Sequence, residues 1–202
     1  MRVIVFGSGA VGTAVREVLE KNGHEVVTVG RASGEQRADL TDKPGLDALF
    51  ARIGPFDAVA SAAGDVYPGA LAEASDEQWA KSIAAKGMGQ IDLVRAALPH
   101  IADKGSFTLV SGVLGDEVTQ QSTIGATVNS MVEGFVKAAA TELPRGLRIN
   151  CVSPTVLAES VGYHPYFPGF APVPAAEVGL AYLRAIANPG TGRILKLHRT
   201  DS

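Results

Sequence analysis

The chain has 202 residues, 46% of them hydrophobic, which is enough for one sizeable core and too little for a second full domain, so a single domain over residues 1–202 is expected. Its 18 basic and 21 acidic residues give a net charge of −3 with no long run of either sign, which excludes the footprint of a nucleic-acid binder or of a protein drawn to an anionic membrane. No stretch approaches the roughly 20 apolar residues of a bilayer span, and the single cysteine, Cys151, sits in the apolar run INCVSP, so a small-molecule partner and a reducing, cytoplasmic setting are expected.

Short apolar runs then alternate with helical patterns along the chain. RVIVFG precedes a helix over Ala10 to Lys21, EVVTVG one over Leu46 to Arg52, and DAVASAAG one over Asp76 to Ile101. SFTLVSG precedes Ser122 to Leu143, RINCVSP precedes Ala175 to Ala187, and RILKLH closes the series. Strands rich in Val, Ile and Ala, each followed by a helix, predict an α/β fold: a doubly wound parallel sheet of Rossmann type with helices on both faces. The irregular stretch GYHPYFPGFAPVPA, with four prolines and four aromatics, predicts a short covering loop over a site at about 160–175.

FGSGAVG follows the first strand and opens a helix. Gly7, Gly9 and Gly12 have the GxGxxG spacing, with Ser8 and Val11 between them. Glycines permit the tight turn and the close approach of a pyrophosphate, and free N–H groups at the helix start hold the anion. At the end of the second strand, where an acid would take the ribose hydroxyls of NAD, stands Gly30, followed by Arg31 and Ser33. A guanidinium takes a phosphate in bidentate fashion, so NADP(H) is expected over NAD(H); a solvated surface arginine is the plainer alternative.

With DLTD after a third strand, SAAG ending the fourth, LVSG the fifth and RINCVSPT the sixth, the chain resembles the short-chain dehydrogenase/reductase family over nearly its whole length. The resemblance implies about seven strands, an adenine bordered by Asp39 and Leu40, and a cofactor ribose beside the turn Ser61, Ala62, Ala63 and Gly64. It also implies a nicotinamide against Pro154 and Thr155, Thr155 standing where the family has glycine. Family members commonly pair through the two helices that here carry Ile83, Ile91, Val94 and Leu98 and then Val132, Phe135 and Val136, so a homodimer or homotetramer is implied.

The family's chemistry moves a hydride between nicotinamide and a carbonyl or alcohol carbon. A tyrosine acts as acid/base, a lysine four residues on lowers its pKa, and a serine holds the substrate oxygen. Aligned on VEGF, this chain offers Gly125 for that tyrosine and Asn129 for that lysine. Ser111 occupies the serine's region, and Lys86 stands where the family usually has an asparagine, as though lysine and asparagine had exchanged helices. Tyr67 and Tyr163 are candidate proton donors, or simply packed aromatics. His164 neighbours Tyr163 and reads as solvated; His24, His100 and His198 read as structural, and no cluster has metal-ligand spacing. Two functions stay open: an NADP(H)-dependent oxidoreductase of small carbonyl or alcohol compounds with a rearranged site, and a non-catalytic NADP-binding sensor or assembly partner.

Overall fold

In the computed structural model, which describes residues 1–198, strand β1 (Arg2–Phe6) sends alternate side chains into two cores. Val3 and Val5 meet Val15 and Leu19 of α1 (Ala10–Lys21) and Val178, Tyr182 and Ile186 of α6 (Ala175–Ala187). Ile4 and Phe6 meet Leu46, Leu49 and Phe50 of α2 (Lys43–Arg52), Leu93 of α4 (Gly89–Ala97), and Val132 and Val136 of α5 (Thr123–Ala139). The period of two therefore places helices on both faces. Phe50 lies 6.0 Å from Phe6 and 5.3 Å from Phe56, tilted ring pairs that add about 0.5–1.5 kcal/mol each to plain burial. Residues 199–202 of the expected domain lie outside the described residues.

The other strands are β2 (Glu25–Gly30), β3 (Gln36–Arg37), β4 (Phe56–Ser61), β5 (Ile101–Val110), β6 (Arg148–Pro154) and β7 (Ile194–Leu197). They form one seven-stranded parallel sheet in the order β3-β2-β1-β4-β5-β6-β7. The order turns back between β1 and β4, and open parallel sheets bind ligands at the carboxyl ends of strands flanking such a point.

The sequence-based reading departs from the structure in the long third helix. Residues 76–101 are not one helix: α3 (Asp76–Ser82) passes into a π-helical turn, Ile83–Met88, before α4. The segment ends at Ala97 because Pro99 stops it, and β5 starts at Ile101 rather than Ser106. Helix α5 stops at Ala139 rather than Leu143.

The apolar stripes offered as a subunit face are largely consumed inside the protomer. Val94, Val132 and Val136 are buried in the core, and Leu98 and Phe135 pack against it. That surface is spent on the sheet, which removes most of the sequence argument for an interface.

Candidate functional site

The carboxyl ends of β1, β2 and β4 open into a crevice of about 300 Å³ lined by Gly7, Ser8, Gly9, Gly30, Arg31, Asp39, Leu40, Ala62, Ala63 and Gly64. Gly7 has φ +115°, and a Cβ there would stand 2.6 Å from the Ala62 carbonyl oxygen. A Cβ at Gly12 would stand 2.1 Å from the Gly7 carbonyl oxygen, whereas one at Gly9 would meet nothing within 4 Å. Two glycines thus close the turn on itself, and the third leaves open space where a ligand can approach the backbone. Helices α2 and α3 cap their first turns with the Asp42 and Ser75 side chains, while α1 has no side-chain cap, so its first N–H groups remain for an anion.

Of the residues expected at the cofactor, Val11, Gly12, Ser33, Pro154 and Thr155 lie outside this lining. Val11, in the first turn of α1, packs its side chain against the core. Ser33 turns its carbonyl oxygen toward Gly30, where a Cβ would stand only 2.4 Å away. Position 30 is glycine because no side chain fits. Arg31 is exposed and faces Asp65 across the crevice at 3.8 Å, a partner not anticipated from sequence. The Asp39 carboxyl is held below its ordinary pKa chiefly by the Thr41 N–H and hydroxyl, which donate to it at 2.9 and 2.8 Å.

Beyond Gly64 the crevice continues into a cavity of about 420 Å³. Tyr67, Lys86, Leu114, Gly125, Asn129, Tyr163, Tyr166 and Phe167 line it, with a polar rim at Thr119, Gln120, Gln121 and Ser122. A smaller cavity of about 210 Å³ shares Lys86, Asn129 and Tyr163 and adds Ser111, Pro154 and Thr155. The short covering loop supplies Tyr163, Tyr166 and Phe167; Glu159 ties its base by accepting from the Ala175 N–H at 3.0 Å.

Lys86 lines both of these cavities and packs against Gly64, which also borders the crevice. It lies on the π-helical turn, a feature common at functional sites, and its methylenes rest on Gly64, where a Cβ would be 2.8 Å from Lys86 Cγ. The Gln90 side chain fixes this turn to the end of β5, accepting from the Val110 N–H at 2.9 Å and donating to the Val110 and Lys86 carbonyls at 2.8 and 3.1 Å. Lys86 Nζ donates to the Ser111 carbonyl at 3.1 Å. Burial pulls its pKa down from 10.5 to about 8, with Cys151 and Glu133 pulling the other way.

Ser111 is 3% exposed, and its hydroxyl donates to Glu133 Oε1 at 2.6 Å. Glu133 is itself buried and went unread in the sequence; the only signal was its spacing of four from Asn129 on one face of α5. Asn129 Nδ2 donates to the Gly112 carbonyl at 3.3 Å, while Asn129 Oδ1 and Thr155 Oγ1 are buried with no partner. Tyr67 and Tyr163 are 42% and 54% exposed at the cavity wall. His164 is half-buried rather than merely solvated: its Nε2 lies 2.9 Å from the Leu157 carbonyl and pins the covering loop. The Cys151 thiol is buried, and burial pushes its pKa up to about 12, so it is a packed apolar group rather than a nucleophile.

No helix among the described residues is long and apolar enough to cross a membrane. Residues 5–173 match the family model described as Enoyl-(Acyl carrier protein) reductase. The crystal structure of the protein lin1944 from Listeria innocua superposes with a TM-score of 0.95 at 40% identity, covering 98% of this chain and 99% of that one. A small-chain dehydrogenase crystallised in complex with NADPH shares the fold with a TM-score of 0.85 at 24% identity, over 97% and 95% of the two chains. An oxidoreductase of Staphylococcus aureus is 25% identical over 187 residues, 80% of this chain and 81% of its own length. The 2,3-dihydro-2,3-dihydroxybenzoate dehydrogenase of Bacillus subtilis is 28% identical over 145 residues, 68% of this chain and 56% of its own length. The match over residues 5–173 and the near-complete superposition at 40% identity show the lineage: the chain belongs to the short-chain dehydrogenase/reductase family of oxidoreductases.

Proposed function

We propose that the protein, over its one sheet and its covering loop, is an NADP(H)-dependent oxidoreductase of small carbonyl or alcohol compounds whose active site is built around Lys86. One observation carries this reading: Lys86, its ammonium lowered toward neutrality by burial, lines the aromatic-walled cavity and rests on Gly64, the residue this cavity shares with the crevice. None of the four tyrosines has a lysine four residues on, and the positions that resemble the family's pair are Gly125 and Asn129. Lys86 restores a cation from the other helix, where it can stabilise an alkoxide in a partly dry site.

The residues present fit a dinucleotide. The space above Gly9, the uncapped start of α1 and the crevice walls at Asp39, Leu40, Ala62, Ala63 and Gly64 suit its pyrophosphate and adenosine. The partnerless Thr155 Oγ1 beside Pro154 suits a carboxamide. When bound, the nicotinamide supplies the hydride chemistry. Ser111 and Lys86 hold the substrate oxygen, and Tyr67 and Tyr163 close the cavity around the substrate.

The excluded side chain at position 30 and the exposed Arg31 support NADP over NAD, as does the NADPH bound by the small-chain dehydrogenase of the same fold. Arg31→Ala should weaken NADP binding roughly 10- to 100-fold, as expected for the 1.5–3 kcal/mol of a charged hydrogen bond, and leave NAD binding unchanged. Fluorescence titration with both nucleotides checks this; parallel losses for the two would remove the assignment.

The second reading, an NADP-binding sensor without turnover, is favoured by Gly125 and Asn129. NADPH consumption across a panel of small ketones and aldehydes, and NADP⁺ reduction across the matching alcohols, separates the two. Self-association as a homodimer or homotetramer through α4 and α5 is proposed on family grounds, and light scattering at micromolar concentration should give at least twice the monomer mass.

A further inference from the structure

We propose that Lys86 is also a nucleophile, which binds an uncharged, ring-bearing aldehyde or ketone covalently as an imine, with or without a nucleotide in the crevice. This activity goes beyond hydride transfer and does not depend on it. A lysine ammonium has three protons to donate, and Lys86 Nζ has a single acceptor, the Ser111 carbonyl at 3.1 Å. Among the described residues no carboxylate forms an ion pair with it, whereas Lys43, Lys81 and Lys196 pair with Asp47, Glu77 and Asp116. A desolvated amine with one acceptor and no counter-charge is better served by its neutral form, which donates that one bond and keeps a lone pair. Burial accordingly brings its pKa down to about 8, against the pull of Cys151 on β6 and Glu133 on α5.

Two cavities reach this side chain. Its inner methylenes pack on Gly64, and its outer end lies at Ser111, which lines the smaller cavity together with Gly112 and Lys86. The larger cavity, which Lys86 also lines, measures about 420 Å³, within the range of small-molecule sites. Leu114, Tyr67, Tyr163, Tyr166 and Phe167 wall it, and Gly125 adds no side chain. Asp65 is the one other charged residue in that lining, so the space suits an uncharged ring better than an ion.

The Nζ lone pair attacks the carbonyl carbon, the π electrons of C=O move to oxygen, and one amine proton passes to that oxygen to give a carbinolamine. The C–O bond then breaks, C=N forms, and the second amine proton leaves with the oxygen as water. Nothing is oxidised or reduced. Walls that keep water scarce favour the imine over its hydrolysis. At pH 7 roughly one Lys86 in ten is neutral, against about one in three thousand for a lysine at the ordinary 10.5.

The full chain, without nucleotide, is to be incubated at pH 7 with benzaldehyde and sodium cyanoborohydride, which fixes each imine as a benzylamine, and peptide mass mapping then reads the rate at every lysine. Lys86 should be modified at least about tenfold faster than the exposed Lys104. That ratio should shrink at pH 10, where ordinary lysines also lose protons. Acetaldehyde, too small to fill the aromatic wall, should give a smaller ratio at pH 7. Lys86→Arg, which keeps the charge and removes the nucleophile, should lose the fast adduct; if it does not fold, the wild-type map decides by itself. Labelling of Lys86 no faster than that of Lys104 overturns the proposal, and equal ratios for the two aldehydes overturn its ring-bearing substrate class. With no nucleotide present, either failure is distinct from a failure of hydride transfer on the carbonyl and alcohol panels.

Discussion

Lys86→Met should cost about 10²- to 10³-fold in kcat, the usual loss when one preorganised donor to a developing oxyanion is removed, while nucleotide affinity stays within twofold. The same change should make the protein more stable at pH 7. Methionine keeps the methylenes that rest on Gly64 and gives up the desolvated ammonium. The sign follows from linkage. The ammonium releases its proton at about 8 in the folded chain against 10.5 in the unfolded one, so below about 8 both states are charged and the folded state bears the burial penalty. Between those values the unfolded chain binds more protons, and wild-type stability rises with pH.

A shift of this size sets a ceiling of about 3 kcal/mol. The partial exposure of Lys86 and the loss of its bond to the Ser111 carbonyl reduce the gain to roughly 1–2 kcal/mol. Urea unfolding at pH 7 and at pH 10 reads the effect: the variant should be ahead at the lower pH and lose that lead at the higher. An unchanged kcat, or a variant less stable at pH 7, would sink the account of Lys86.

Gly12→Ala should abolish detectable nucleotide binding, a loss beyond about 100-fold or 2.7 kcal/mol, and destabilise the fold by roughly 1–3 kcal/mol. The new methyl would sit 2.1 Å from the Gly7 carbonyl oxygen and 2.6 Å from its carbon, both backbone atoms with no flexible end to swing aside. The turn must open, and α1 must shift against α6, where Gly179 already lies close to the Ala14 carbonyl. Gly9→Ala is the control. Its methyl meets no protein atom within 4 Å and its φ of −79° suits alanine, so stability should hold within about 0.5 kcal/mol while the methyl enters the space meant for the ligand. Differential scanning calorimetry with and without NADP checks both variants. If Gly9→Ala binds as tightly as wild type, the pyrophosphate does not lie over that glycine.

The strands, their order of appearance and the glycine turn were legible because each rests on local rules: apolar runs, a helix after every strand, and glycines at fixed spacing. The short β3 was legible only through the family resemblance, since two residues carry no periodicity. The π-helical turn at Ile83–Met88 was not legible, because its residues IAAKGM read as ordinary helix, and the contacts Lys86 makes there with Gly64 and the Ser111 carbonyl are tertiary. Glu133 was invisible for a different reason. A carboxylate on a helix ordinarily faces water, and only tertiary packing against the end of β5 buries this one on Ser111. Lys86 and Ser111 were named from sequence and do meet, whereas the bond between them runs to the carbonyl of Ser111 and leaves its hydroxyl to Glu133.

The Ser33 carbonyl over Gly30 has an evolutionary consequence. In related dinucleotide sites an aspartate or glutamate at this position recognises the unphosphorylated ribose, and every glycine codon reaches one of the two acids by one base change. In this chain that mutational step is blocked, since the first carbon of any side chain would fall 2.4 Å from a backbone oxygen. A lineage carrying this loop could not gain that acid one substitution at a time; it would first have to remodel residues 31–35, at the expense of Arg31 and of the Glu35 carboxylate that accepts from the Thr28 N–H at 3.2 Å.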